Sequence, residues 1–354
     1  MTDLLDLTAE LIDIPSVSHH EQAITDHIEA KLRAAPWLSV ERLGDNVLAR
    51  TNVGHSMRVV LAGHTDTVPV NDNDRARLDG DTLWGLGASD MKSGVAIQLE
   101  LATTIERPAV DVTYVFYACE EIAGEHNGLL HVACDRPDLL HGDVAILGEP
   151  TDGVLEAGCQ GTMRIEVTLK GVRAHSARPW MGRNAIHRLG RLLAIIDGWE
   201  GRRPVVDGCE YREAVQAVMV EGGVAGNVVP DRARVMINHR FAPDRDAAAA
   251  DAFLRSLIAP AIDDGDAIDV VDSVAGARPG LDHPLFAALI ARNGLDVRAK
   301  LGWTDVARFS ALGMPAVNLG PGDPLLAHAP DERVTRAQLD RTWTILHDLL
   351  VNGV

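Results

Sequence analysis

Val112-Thr113-Tyr114-Val115-Phe116-Tyr117-Ala118-Cys119-Glu120-Glu121 decides the reading of this chain. Eight residues rich in β-branched and aromatic side chains, with no Gly or Pro among them, read as a buried strand. Two carboxylates stand at its carboxyl end. Within a strand adjacent side chains point to opposite faces, but where the strand stops and turns both can aim into one cleft. One carboxylate can then hold a metal while the other moves protons, the division of labour of a metal-assisted hydrolase. Glu-Glu is also common on solvated helices, so the pair gains weight only from its surroundings.

Upstream, Leu4, Leu7 and Leu11 lie at helical spacing until Pro15, and Ile24, Ile28 and Leu32 mark a second helix. Strand-like runs cover 46–50, 58–62 and, downstream of the deciding segment, 143–147; residues 91–105 read as a helix. This alternation is the α/β pattern of a mostly parallel sheet with helices on both faces. From Thr162 the order becomes strand 162–170, helix 184–200, strands 214–220 and 232–241, helix 246–262 and strand 267–274. That β-α-β-β-α-β order is the split unit of ferredoxin-like α+β domains. A helix at 284–293 and a strand at 315–319 then return to the first sheet. The expected organisation is one domain from 1–161 and 277–354, with a smaller domain, 162–276, inserted into it.

The 354 residues carry a net charge of -18, which argues against nucleic acid and anionic membrane as partners, since both demand a basic surface. No apolar run is long enough to span a bilayer. The acidic opening Met1-Thr2-Asp3-Leu4-Leu5-Asp6 does not read as a signal peptide. Cys119, Cys134, Cys159 and Cys209 show no Cys-x-x-Cys spacing and suggest reduced thiols, hence a cytoplasmic location.

Metal-type residues recur where strands end or helices begin. His64 and Asp66 follow the 58–62 strand, Asp90 opens the helix after a Gly-rich segment, Glu149 closes the 143–147 strand, and His328 follows the 315–319 strand across Gly320-Pro321-Gly322. Each alone has an ordinary explanation, Asp90 as a helix N-cap for instance. Together they fall in the crevice where open α/β sheets bind ligands. Two imidazoles and three carboxylates suit a pair of zinc ions, and the two oxygens of Asp90 could bridge them. Asp66 then orients the His64 ring by accepting its other N–H.

His64-Thr65-Asp66, Gly87-Ala88-Ser89-Asp90-Met91-Lys92-Ser93-Gly94, Glu120-Glu121, Gly148-Glu149-Pro150 and Ala327-His328 resemble, in order, the signature segments of the dizinc amidohydrolase family. That family includes carboxypeptidase G, aminoacylase, acetylornithine deacetylase and succinyl-diaminopimelate desuccinylase. The likeness extends to the insert, with His175-Ser176-Ala177-Arg178-Pro179 and Gly182-Arg183-Asn184-Ala185. It implies a catalytic domain plus a lid that also dimerises, and two zinc ions per subunit, with cobalt able to substitute. One ion would lie on His64 and Glu149, the other on Glu121 and His328, with Asp90 between and a cis peptide after it. Glu120 would be the general base and acid, assisted by Asp66. His175 and Asn227 would meet the oxyanion, often from the partner subunit of a homodimer, and Arg240 would hold a substrate carboxylate.

Gly302-Trp303-Thr304-Asp305-Val306-Ala307-Arg308-Phe309 and Gly320-Pro321-Gly322-Asp323 look most like the actinobacterial desuccinylases of the family. The implied substrate is a small anionic N-acyl diamino acid, N-succinyl-LL-2,6-diaminopimelate. Acetylornithine or another N-acyl amino acid is the alternative, and a metal-binding relative without chemistry a third. Cys159-Gln160-Gly161-Thr162 departs from an Arg-Arg-Gly-Ser-like stretch in the better-known desuccinylases, leaving Arg178 or Arg308 to supply that carboxylate contact, with Thr304 a further substrate-binding candidate.

Overall fold

The computed structural model describes residues 3–353; Met1, Thr2 and Val354, and with them the first two residues of the acidic opening stretch, lie outside the described residues. The chain folds into two compact units. One comprises Met1–Ala157, Pro279–Arg298 and Asp305–Val354; the other comprises Gly158–Arg278 and Ala299–Thr304. The segment 299–304 thus groups with the inserted unit, whereas the sequence reading leaves it in the first.

The first unit is built on an eight-stranded sheet in the order Ser39–Leu43, Asn46–Arg50, Asp111–Tyr117, Arg58–His64, Val144–Leu147, Ala316–Asn318, Leu155–Ala157, Val297–Ala299. The four strands from Asp111–Tyr117 to Ala316–Asn318 run parallel, and Asn46–Arg50 and Leu155–Ala157 pair antiparallel on either side of them. Asp111–Tyr117 is buried at every position: its β-branched and aromatic residues predict this, and Asp111 at its start is buried because its carboxylate accepts the N–H groups of Val53, Gly54 and His55. The Lys92–Thr104 helix is buried almost throughout because it packs on Arg58–His64 and is covered by the helices Leu4–Ile12, Gln22–Arg33 and Arg336–Asn352. Close approach is what Gly94 permits. A Cβ there would stand 2.2 Å from the Gly148 carbonyl oxygen, so any larger residue would push this helix off the turn that leads to Glu149.

The second unit holds a four-stranded antiparallel sheet ordered Ala214–Gly222, Arg232–Phe241, Gly161–Lys170, Ala267–Val274. Burial alternates along Arg232–Phe241, and Ile165, Val167, Val235, Ile237 and Phe241 pack with Leu189, Leu192, Leu254 and Ile258 of the two helices. The β-α-β-β-α-β expectation holds, with two shorter helices. The first runs Ala185–Asp197, its start fixed by the Asn184 side chain accepting from the Ile186 and His187 amides. The second ends at Ile258 and tightens into a 3-10 turn, because Pro260 has no N–H to continue it. Among the described residues no helix is long and apolar enough to cross a membrane, and all four cysteines are free.

Candidate metal centre and active site

The carboxyl ends of the parallel strands converge on one cluster. Arg58–His64 ends in His64 itself, Glu120 and Glu121 follow Asp111–Tyr117, Glu149 follows Val144–Leu147, and the loop after Ala316–Asn318 carries His328. Asp90 precedes the Lys92–Thr104 helix, across a cis peptide bond to Met91, as the resemblance implied.

His64, Asp90 and Glu121 each present a ligand atom within 4.8 Å of the others. Asp90 divides its two oxygens: Oδ1 lies 3.1 Å from His64 Nε2 and Oδ2 lies 3.7 Å from His328 Nε2. His328 Nε2 also stands 3.1 Å from Glu121. Atoms bound at 2.0–2.2 Å to a common zinc ion are about 3–4.4 Å apart, so spacing and donor type both fit a metal. Glu149 is buried, and its charge bears on both His64 and Glu120.

The electrostatics are those of crowded acids and imidazoles. Burial opposes the His64 charge, but hydrogen bonds to Asp66 and Asp90 outweigh it and raise the ring well above its usual range. His328 is pushed up to about 9, first by its hydrogen bond to Glu121. Desolvation pushes the Glu120 carboxyl well up, the His64 charge pulls it down, and Glu149, Asp305 and Glu121 add to the rise. A carboxylate made more basic in this way is the kind that can take a proton at neutral pH.

Asp66 does more than the sequence reading asked of it. His64 Nδ1 lies 3.1 Å from the Asp66 backbone oxygen and 3.4 Å from its carboxylate. The carboxylate also accepts the backbone N–H groups of Glu120 and Glu121, at 3.0 and 3.1 Å, and the Ser18 hydroxyl at 2.7 Å. It therefore fixes the ring and the turn of the two glutamates together. That turn begins at Cys119, which has a φ of 59° in the left-handed region and is held there by Glu21 accepting its N–H at 3.0 Å. Ser18, Glu21 and the buried Glu332 escaped the sequence reading. No periodicity marks Ser18 or Glu21, and the one cue for Glu332 is its place four residues after His328.

The remaining candidates lie in the second unit. His175 and Asn227 come together on a two-stranded ribbon, where His175 pairs with Val228 and the Ser176 N–H donates to the Asn227 carbonyl at 2.9 Å. His175 Nδ1 accepts the Ala177 N–H at 3.0 Å, which places the proton of the neutral ring on Nε2. Arg240 is half-buried on Arg232–Phe241, with its charge disfavoured by burial, and forms no ion pair among the described residues. Arg178 is exposed and Thr304 is buried. Arg308 lies in the first unit, paired with an acid whose charge also bears on Glu120. Its Nε donates to the buried Asp305 at 2.5 Å, and Asn127 donates to the same carboxylate at 2.9 Å. The bond to Asp305 uses one of the five N–H donors of the guanidinium.

A mostly parallel sheet with imidazoles and carboxylates gathered at its strand ends defines a metallohydrolase. The chain belongs to peptidase family M20/M25/M40, whose profile matches residues 60–352. It is 45% identical over 355 residues to a succinyl-diaminopimelate desuccinylase of Corynebacterium glutamicum, covering 98% of this chain and 96% of the other. A provisionally named succinyl-diaminopimelate desuccinylase, DapE, of Mycobacterium tuberculosis (strain ATCC 25618 / H37Rv) is 54% identical over 337 residues, covering 94% and 93%. The fold matches that of an M20 family metallo-carboxypeptidase, Sso-CP2, of Sulfolobus solfataricus at a TM-score of 0.77 and 18% identity, covering 98% of each chain.

Proposed function

We propose that this chain hydrolyses N-succinyl-LL-2,6-diaminopimelate to succinate and LL-2,6-diaminopimelate, in the cytoplasm, as a step toward lysine and cell-wall precursor. The observation that carries the reaction type is the division of the Asp90 oxygens between His64 and His328. Two zinc ions, replaceable by cobalt, would be held by His64 and Glu149 and by Glu121 and His328, with Asp90 between them. When bound, they supply Lewis acidity that polarises the amide carbonyl and acidifies water.

Glu120 takes a proton from the attacking water as the water oxygen adds to the acyl carbon. It then gives that proton to the amide nitrogen as the C–N bond breaks, releasing succinate and the free amine. Asp66 keeps Glu120 at its post through the backbone N–H it accepts. From the inserted unit, read as residues 162–276 with lid and dimerisation roles, His175 Nε2–H and Asn227 are suited to meet the developing oxyanion. Arg240 is suited to hold a substrate carboxylate, with Arg178 and Thr304 as further contacts.

Substrate choice follows from charge. In a chain of net charge -18, an anionic acyl tail needs a local cation, and a half-buried guanidinium without an ion pair is one. Exchanging succinyl for acetyl removes a charge-assisted hydrogen bond, about 1.5–3 kcal/mol, or roughly 10- to 150-fold. On the metal-loaded protein, kcat/KM for succinyl-diaminopimelate should exceed that for acetylornithine by at least that margin. Comparable values or the reverse order would discard the desuccinylase reading and leave the metallohydrolase standing.

A homodimer through the inserted unit belongs to the same proposal. Its sheet-edge strand Ala214–Gly222 exposes Val218, Met219 and Val220, and Val224 is exposed just beyond it, a run that an edge left in water rarely carries. Sedimentation should give twice the chain mass, and Val220→Glu should halve it; a wild-type monomer would remove the dimer from the proposal.

A further inference from the structure

Glu332 is a buried acid that neither the family motifs nor the proposed chemistry employs. Its side chain is 1% exposed, yet both carboxylate oxygens are engaged by one loop. Oε1 accepts the backbone N–H groups of Ser89 and Asp90, each at 2.8 Å, and Oε2 accepts that of Gly87 at 3.1 Å. Amides converging in this way form an anion-binding nest, and here the anion is the protein's own. The contact continues on both sides: the Glu332 carbonyl accepts the Gly85 N–H at 3.1 Å, and the Ser89 hydroxyl donates to the Arg333 carbonyl at 3.0 Å. Strand Arg333–Thr335 then pairs antiparallel with Thr82–Trp84.

Those two segments carry different ligands. Gly85–Ser89 leads into Asp90, whereas Glu332 follows His328 by four residues and donates its own N–H to the Ala329 carbonyl at 3.2 Å. His328 itself sits in the left-handed region, at a φ of 63°. Upstream of it, Gly322 packs so closely on Ser89 that a Cβ would lie 2.6 Å from the Ser89 backbone. The His328 loop is therefore closed on the Asp90 loop from before and after the histidine. The separation between Asp90 Oδ2 and His328 Nε2, 3.7 Å, is set across that closure.

We infer that Glu332 is a positioning residue of the metal centre, holding the Asp90 loop to the His328 loop so that one carboxylate can serve both histidines. The inference rests on the two-metal reading above. Glu332→Gln keeps the shape but turns an amide –NH₂ toward backbone donors, so at least one of the three N–H bonds is lost. Groups that orient metal ligands through such bonds typically change metal affinity or activity by about 10- to 100-fold.

The test is titration of metal-free protein with Co²⁺, followed by visible absorption and metal analysis. Wild type should take up two Co²⁺ per chain; failure there sinks the metal reading itself. With wild type loaded, Glu332→Gln should keep the wild-type circular dichroism. It should bind at least one Co²⁺ tenfold or more weakly, with an altered visible spectrum, and lose about 10- to 100-fold in kcat with little change in KM. Glu332→Asp keeps the charge and both acceptors one methylene further back, and should fall between the two. Asp331→Asn, on the exposed neighbour paired with Arg333, should match wild type in every respect. Wild-type Co²⁺ affinity and spectrum in either folded Glu332 variant overturn the inference. So does the failure of both variants to fold, which would make the residue an anchor of the fold instead.

Discussion

Glu120→Gln is expected to keep its metal and to lose roughly 10²- to 10⁴-fold in turnover, the scale of a missing general base, while its neighbour Glu121→Gln loses metal first. The two residues share a backbone turn whose N–H groups both end on Asp66, so neither substitution removes the bonds that shape the turn. What differs is where the side chains go. Glu121 joins the cluster with His64 and Asp90 and meets His328 at 3.1 Å, so its carboxylate is a ligand by position. An amide there is a weak, uncharged donor to a cation. Burial, with the neighbouring acids adding to it, raises the basicity of Glu120, and an amide in its place cannot accept the proton of water at all. Metal content and steady-state turnover measured on the same preparations separate the roles. A Glu120→Gln protein emptied of metal beside a fully loaded Glu121→Gln protein would reverse the assignment.

Much of this centre was legible because chemistry and topology left the same mark. His64, Asp90, Glu121, Glu149 and His328 are residue types that bind metals, and each follows a strand or opens a helix whose apolar run is plain in the sequence. The core strands were legible for the same reason, since Asp111–Tyr117 and Arg58–His64 are dominated by β-branched, aliphatic and aromatic residues. Ser39–Leu43 was not, because an edge strand half in water needs no such run and carries Glu41 and Arg42 instead. Nor were Leu155–Ala157 and Arg333–Thr335 legible, being three residues long and defined only by their partners. Ser18, Glu21 and Glu332 act through hydrogen bonds that reach across 48, 98 and more than 240 residues of chain, one from Ser18, two to Glu21 and three to Glu332. An isolated acid in a polar stretch reads as solvated until the fold shows what encloses it. Arg308 shows the converse: its place in a family-like motif suggested substrate, and the fold adds a bond from its Nε to Asp305 that no motif announces.

Asp266→Asn is expected to destabilise the inserted unit by about 3–5 kcal/mol at neutral pH, the usual effect of removing one partner from a buried ion pair. Arg188, on the helix Ala185–Asp197, is buried and donates to both Asp266 oxygens, at 2.7 and 2.5 Å, and to the carbonyls of Lys170 and Ala261. Asp266 in turn accepts the N–H groups of Lys170 and Asp263, each at 2.8 Å, so the pair ties strand, helix and turn at one corner of the unit. Desolvation would raise the Asp266 carboxyl, but Arg188 and the two backbone donors outweigh it and hold the group down to about 2. A carboxyl held below its unfolded value of about 3.9 lends stability above that value and loses it as pH falls toward 2. The pH-dependent part is about 2–3 kcal/mol. Amide hydrogen exchange in Gly161–Lys170 and Arg232–Phe241 reads this unit directly. The gap between wild type and Asp266→Asn should be full at pH 6–7 and narrow by about 2–3 kcal/mol near pH 2, as the wild type loses what the variant already lacks. A gap under about 1 kcal/mol at neutral pH would mean that Arg188 finds its partners elsewhere, Asp263 being within 2.7 Å, and that the corner does not depend on Asp266.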